Sequence, residues 1–302
     1  MEEAITITGL SKTFKKQQVI RDLQMHIPVG SIYGFIGKNG AGKSTTQKLI
    51  CGLLQPNGGE IKIFGKPAND MEVHRKMGVL IEDPGTEKGW TTRQNLIMQA
   101  LQMGIENPQE TADRALELVG LTGAAKKKVK ECSLGMKQRL GIAEALLGSP
   151  SLLVLDEPIN GLDPEGIREI RQTLLELNQK GITILISSHI LGELSRIATH
   201  YGIIRNGSMV KEISAEDLSK ECRDYMKVKV ERPLEALSCL RKALKLDNAE
   251  IVDDEIHLFG YNKGRLVNQC LVENGYIADE ISFHQMDLEE YFMRLMGGES
   301  NE

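Results

Sequence analysis

Nothing in this 302-residue chain looks built to cross a bilayer, because no apolar run approaches the roughly 20 residues a spanning helix needs. The acidic start, Met1-Glu2-Glu3, has neither the basic nor the apolar segment of a secretory leader, so a cytosolic protein is expected. An excess of basic charge is missing too. The formal net charge is −5, which argues against a dominant nucleic-acid surface. The one basic cluster, Lys126-Lys127-Lys128 with Lys130, reads as a solvated connection between helices rather than a phosphate-binding patch. Cys51, Cys132, Cys222, Cys239 and Cys270 form no C-x-x-C pair and lie far apart, the pattern of reduced thiols that mostly fill core positions. His26, His74, His200, His257 and His284 have no partners at metal-ligand spacing. With 41% apolar and 26% charged residues the chain should fold, and its length suits one large α/β domain and a smaller one.

What the chain does have is Gly37-Lys38-Asn39-Gly40-Ala41-Gly42-Lys43-Ser44-Thr45, which fits the phosphate-loop pattern G-x-x-x-x-G-K-[ST]. Glycines let the backbone curl until successive N–H groups point inward at phosphate oxygens. Lys43 adds a point charge for the β- and γ-phosphates, and the Ser44 hydroxyl can ligate Mg²⁺. Residues 31–36 read as a strand running into the loop, and Thr45 to Leu54 as a helix whose N-terminus favours an anion. The alternative, a glycine-rich turn matching by chance, does not explain that context. Binding of a nucleoside triphosphate is expected.

Around this stretch the pattern is α/β. Residues 4–30 alternate like antiparallel strands, with Phe14 set among polar residues, either stacked on a base or simply packed. Glu60 to Gly65 and Lys76 to Glu82 read as strands, the second closed by Asp83-Pro84-Gly85. Helical patterns over Thr92–Met103, Pro108–Val119 and Leu134–Leu147 mark an inserted subdomain at about residues 86–148. Leu152 to Leu155 is continuously apolar, as in the middle of a parallel sheet, and ends in Asp156-Glu157-Pro158. Two carboxylates at the carboxyl end of a buried strand are unfavourable unless they meet a cation or a reacting group. A helix over Pro164–Lys180, a strand over Thr183–Ile186 followed by Ser187-Ser188-His189, a helix from Ile190 and a hairpin around Asn206-Gly207 complete a first domain, 1–220. From 221 to 302 the pattern restarts as β-α-β-β-α-β-α, with Leu234, Leu237, Leu240 and Leu244 at helical spacing and a last helix over Leu288–Met296. That order is compatible with a ferredoxin-like sandwich. No catalytic motif lies there, which points to packing, dimerisation or ligand sensing.

Between the phosphate loop and the strand-end carboxylates stands Cys132-Ser133-Leu134-Gly135-Met136-Lys137-Gln138-Arg139. Taken together, in this order, the three motifs resemble the ATP-binding subunit of ABC transporters over residues 4 to about 220. The resemblance implies the family's P-loop fold, a mixed sheet with an antiparallel β subdomain and a helical subdomain, carrying here a small C-terminal α+β domain. It also implies a set of roles for ATP and Mg²⁺. Gly37, Asn39, Gly40, Ala41, Gly42, Lys43, Ser44 and Thr45 would hold the phosphates, and Phe14 falls where the family stacks an aromatic on adenine. Ser44 and Asp156 would serve the metal. Glu157 corresponds to the general base and His189 to the switch histidine at the γ-phosphate. Ser133 and Gly135 match the signature that completes a partner's site, while Leu134 and Met136 depart from it. Ser133 also suits the N-cap of its helix. Asp163, in Asn160-Gly161-Leu162-Asp163, matches the loop that links the two sites of a dimer.

One departure stands out. Where the family has a glutamine that touches Mg²⁺ and senses the permease, this chain has Glu82. A carboxylate binds Mg²⁺ more strongly but adds negative charge beside the γ-phosphate, and Glu82 is expected to be a working metal-side ligand with Ser44 and Asp156. Glu82, the variant signature and the appended domain resemble the branch that includes bacitracin and lantibiotic-immunity exporters. On this reading the chain hydrolyses ATP to power a separate integral-membrane permease, docked near Glu87-Lys88-Gly89-Trp90-Thr91, with Trp90 either an anchor there or buried. It would pair with a second ATP-binding subunit, identical or a paralogue, and lie on the inner face of the cell membrane through the permease, with no nucleic-acid partner. Two other readings stay open from sequence: a soluble ATPase of this type acting on ribosomes or DNA, and a regulatory module switched by ATP.

Overall fold

The structure is a computed structural model, and it describes residues 2–82, 84–222, 224–246, 248–284, 291, 292 and 295. The described residues divide into two compact units, one of residues 2–215 with Leu295 and the other of residues 216–292.

The first unit begins with β1 (Glu3–Phe14) and β2 (Gln17–Pro28), followed by β3 (Ile32–Ile36) and α1 (Lys43–Ile50). Next come β4 (Gly58–Ile63), β5 (Lys66–Pro67), α2 (Met71–Arg75) and β6 (Met77–Leu80). A helical run follows, α3 (Thr92–Gln102), α4 (Pro108–Leu118) and α5 (Leu134–Leu146). After it the chain alternates β7 (Leu152–Asp156), α6 (Pro164–Gln179), β8 (Thr183–Ser188) and α7 (Leu191–Leu194), then β9 (His200–Arg205) and β10 (Ser208–Ser214). The helix α8 (Ala215–Glu221) continues the chain.

Two sheets carry this unit. One is antiparallel, in the order β2-β1-β4-β5; the other runs β10-β9-β3-β8-β7-β6. In the second sheet β9, β3, β8, β7 and β6 pair parallel and only β10 is antiparallel. Every residue of β3 and β8 is buried, as are Leu152 to Leu155 of β7, which is why these strands read as unbroken apolar runs. This topology aligns the carboxyl ends of β3, β7 and β8 along one edge, where the motif residues follow. The hairpin at Asn206-Gly207 has positive φ at both residues (51° and 83°), the geometry of a type I′ turn.

Some local expectations shift. The first helix starts at Lys43 rather than Thr45 and stops before Gly52, whose φ of 70° leaves the helical region. The helix expected from Ile190 is a single turn, and the short β5 and α2 give no periodic signal long enough to read. Lys126, Lys127, Lys128 and Lys130 are exposed on the connection ahead of α5. Cys51 and Cys132 are buried. Thr91 and Gln94 form a reciprocal capping box that starts α3.

The second unit contains β11 (Tyr225–Val230), α9 (Pro233–Leu244), β12 (Ala249–Val252), β13 (Glu255–Phe259), α10 (Gly264–Glu273) and β14 (Ala278–His284). Its sheet runs β12-β13-β11-β14 with all pairs antiparallel, an order compatible with a ferredoxin-like sandwich. Met226, Val228 and Val230 face Leu237, Leu240, Val267, Cys270 and Leu271 in its core. Leu234 does not join them; it sits in the first turn of α9 and is 75% exposed. Of the helix expected over Leu288–Met296, Tyr291, Phe292 and Leu295 are helical; the remaining positions lie outside the described residues. Among the described residues no helix is long and apolar enough to cross a membrane.

Candidate nucleotide site

The loop between β3 and α1 is held open by glycine. Gly40 and Gly42 have φ of 80° and 112°, in the region L side chains avoid. A Cβ on Gly42 would fall 2.6 Å from Ile20 Cδ1, and one on Gly37 would fall 2.7 Å from the Ile204 carbonyl. The first turn of α1 is tied down where Thr46 Oγ1 donates to the Gly42 carbonyl at 2.9 Å. One turn in, Gln47 Nε2 donates to the Leu155 carbonyl at 3.0 Å, fixing α1 to β7. Lys43 curls back over the loop, its Nζ donating to the Gly37 carbonyl at 2.7 Å, and the side chain is buried.

The ends of β7 and β8 meet this loop. Ser187 Oγ donates to Asp156 Oδ1 at 2.5 Å and accepts from the Glu157 N–H at 3.0 Å. The same N–H also reaches the Ser187 carbonyl at 3.2 Å, so one serine on the neighbouring strand fixes the Asp156 carboxylate and the Glu157 backbone. Glu157 takes a left-handed φ of 48°. Its Oε1 lies 3.4 Å from Lys43 Nζ and its Oε2 2.8 Å from His189 Nδ1. A carboxylate only 21% exposed is thereby placed between a buried ammonium and an imidazole.

A cleft of about 390 Å³ opens over these groups. Of the residues expected from sequence, Asn39, Gly40, Gly42, Lys43, Ser44 and Thr45 line it from the loop side, and Glu157 and His189 from the strand ends. Ala41 faces a second cavity on the other side of the loop, beside Ile204 and Arg205. Gly37 and Asp156 contribute through the bonds just described. Val19 and Asn160 also line the cleft. Sequence reasoning assigned neither a place there: Val19 is one apolar residue of a β-strand, and Asn160 enters through a turn in which its N–H reaches the Glu157 carbonyl at 3.1 Å.

The other expected residues stand outside this cleft. Phe14 ends β1, is 41% exposed and has Lys12 Nζ 5.2 Å from its ring centroid. Glu82 follows β6, is exposed, and pairs with Lys48 Nζ at 2.5 Å. Ser133 is the N-cap of α5, its Oγ accepting from the Met136 N–H at 3.3 Å. Asp163 caps α6 in the same way, accepting from the Gly166 N–H at 3.3 Å. Gly135 lies close to the loop ahead of α6, where a Cβ would be 3.7 Å from Leu162 Cδ2. Trp90 is 39% exposed rather than buried.

A glycine-rich loop ahead of a helix, a buried lysine crossing it, and carboxylates with a histidine at the ends of the next parallel strands define a P-loop nucleoside triphosphatase. A family model described as ABC transporter matches residues 20–160. The chain is 40% identical to the bacitracin transport ATP-binding protein BcrA of Bacillus licheniformis, over 99% of both proteins. It is 41% identical to the lantibiotic transport ATP-binding protein SrtF of Streptococcus pyogenes, over 69% of this chain and 90% of that protein. Among solved structures, an ATP-binding subunit of an ABC transporter superposes with a TM-score of 0.64 at 30% identity, covering 72% of this chain and 92% of that one. The chain belongs to the ATP-binding proteins of ABC transporters. It is an ATP hydrolase of that class, and its relatives include the bacitracin and lantibiotic branch to which Glu82 and the variant signature pointed.

Proposed function

We propose that this chain hydrolyses ATP on the inner face of the cell membrane to drive a separate permease that exports a peptide antibiotic of the bacitracin or lantibiotic kind. One observation carries the hydrolytic part: the convergence of Lys43, Glu157 and His189 on the cleft beside the phosphate loop. The substrate class rests on the transport relatives of this chain.

On this reading the loop N–H groups and Lys43 take the β- and γ-phosphates. Arrival of the phosphates gives Lys43 a stronger partner than Glu157, and the freed carboxylate orients the attacking water as general base. His189, already on Glu157 Oε2, steadies that carboxylate and faces the γ-phosphate. Phe14 serves the adenine. The oxygen donors here suit Mg²⁺, which prefers one or two carboxylates with substrate phosphates and water over an all-protein cage. Ser44 Oγ and the Asp156 carboxylate, held by Ser187, would be its protein-side ligands, whereas Glu82 is paired with Lys48 outside the cleft lining. When bound, Mg²⁺ supplies charge neutralisation on the phosphates.

Ser133 and Gly135 do not line the cleft of their own chain. They fit the opposite wall of a composite site, contributed by a second ATP-binding subunit, with Asp163 on the connecting loop. Exposed Trp90 would anchor the permease. The test is the solution mass of Glu157→Gln by light scattering, with and without Mg-ATP. A monomer that becomes a dimer only with ATP supports the composite site. A chain that binds ATP yet stays monomeric overturns self-pairing and directs attention to a paralogue. For the substrate, cells expressing the chain with its permease should tolerate more bacitracin or lantibiotic, and Lys43→Ala should abolish the gain.

A further inference from the structure

Glu82 raises a charge problem. Glu82 lies just past the end of β6, the parallel neighbour of β7, so it stands at the sheet edge that carries Asp156 and the cleft, though outside the cleft lining. The structure shows what meets that carboxylate. Lys48 Nζ lies 2.5 Å from Glu82 Oε1, and the lysine side chain is only 29% exposed. Lys48 stands four residues after Ser44 on α1, so it lies on the same helix face, one turn further from the loop. The backbone of Glu82 is in the left-handed region, with φ of 65°, two residues past the end of β6. A non-glycine residue in that region is held there by its surroundings.

We infer that Lys48, one helical turn after Ser44, is a positioning residue for Glu82: it neutralises the carboxylate and holds it against α1. The inference rests on the nucleotide-site reading above and deepens it. An ordinary exposed ion pair would leave ligand binding untouched, since such pairs contribute little. Three features set this pair apart. It joins residues 34 apart in sequence, one of them lies on the helix that follows the phosphate loop, and the other has a constrained backbone. Without Lys48 the charge of Glu82 would stand uncompensated at the sheet edge that carries the nucleotide cleft, and repulsion between like charges would weaken binding of the triphosphate. Removing the charge of Glu82 at the same time would remove that penalty.

The experiment measures affinity for a fluorescent ATP analogue, in the absence and presence of Mg²⁺, on the whole protein and its variants. Lys48→Met should weaken Mg-free binding roughly three- to tenfold. Lys48→Arg, which keeps the charge, should stay close to the unaltered protein. The double variant Lys48→Met with Glu82→Gln should regain most of the lost affinity, because the two changes act on one interaction. Thermal melts of each variant separate this effect from misfolding. Unchanged affinity in Lys48→Met would overturn the inference, reducing the pair to a surface contact. Equal loss in the single and double variants would overturn it as well, because Lys48 would then act on nucleotide without Glu82. Failure of the unaltered protein to bind the analogue would overturn the nucleotide-site reading together with this one.

Discussion

His189 Nδ1 and Glu157 Oε2 lie 2.8 Å apart, although 32 residues separate them in the chain. The contact exists because β7 and β8 are parallel neighbours, with Asp156 opposite Ser187 in register, so the residues just beyond both strand ends face each other. With Lys43 on the other carboxylate oxygen, Glu157 is oriented before nucleotide arrives.

Glu157→Gln keeps the shape of the side chain but removes its basicity. Phosphate release should fall by roughly 10²–10⁴-fold, the usual contribution of a positioned base. Affinity for ATP should survive, because the loop and Lys43 are intact. An enzyme assay beside a nucleotide-binding titration checks both halves.

His189→Ala removes the imidazole that holds Glu157 Oε2. The expected result is a fall in kcat of about 10²-fold with a much smaller change in KM, since a lost transition-state interaction acts on the chemical step. A steady-state titration of ATP separates the two constants. Equal kcat in the variant would remove His189 from the reaction.

Arg139 ties α5 to α6. Its Nη2 lies 3.1 Å from Glu169 Oε2, and its Nη1 donates to the Val119 and Gly120 carbonyls at 3.5 Å each. Arg139→Ala should destabilise the protein by about 1–3 kcal/mol, through lost hydrogen bonds and lost packing of the side-chain stem. Arg139→Lys should recover only part, because an ammonium cannot reproduce the fork. Urea midpoints of the three proteins make the comparison.

Glu144, on α5, is a mostly buried carboxyl whose pKa is pushed up to about 7 by loss of solvent. Its folded pKa lies above the unfolded value, so between those two values the folded chain binds more protons than the unfolded one. Stability from this group is therefore present at low pH and lost as pH rises toward 7. Glu144→Gln should stabilise the protein at pH 8 by about 3 kcal/mol and change little at pH 4. Denaturation curves at the two pH values test the sign.

Local motifs and tertiary contacts were not equally legible. The phosphate loop could be read because its demands are local: Gly42 needs a left-handed φ, and Lys43 and Ser44 need fixed offsets from it. The strands β3, β7 and β8 announced themselves as apolar runs because both faces are covered. Short elements such as β5 and α2 left no trace, since two or five residues carry no period. Leu234 kept the helical spacing of its neighbours but lies in the first turn of α9, exposed.

The amino-acid sequence alone determined that a phosphate-binding loop opens a helix, that two carboxylates follow a buried strand, and that the family is one of transport ATPases. Each of those rests on backbone demands or residue spacings within a few positions. Only the tertiary structure decided that Glu157 sits between Lys43 and His189, that Val19 and Asn160 line the same cleft, and that Glu82 is met by Lys48. These contacts depend on which strands become neighbours and which loops their ends bring together. That choice is made by packing of the whole sheet, where residues far apart in sequence become adjacent only once every strand is in place.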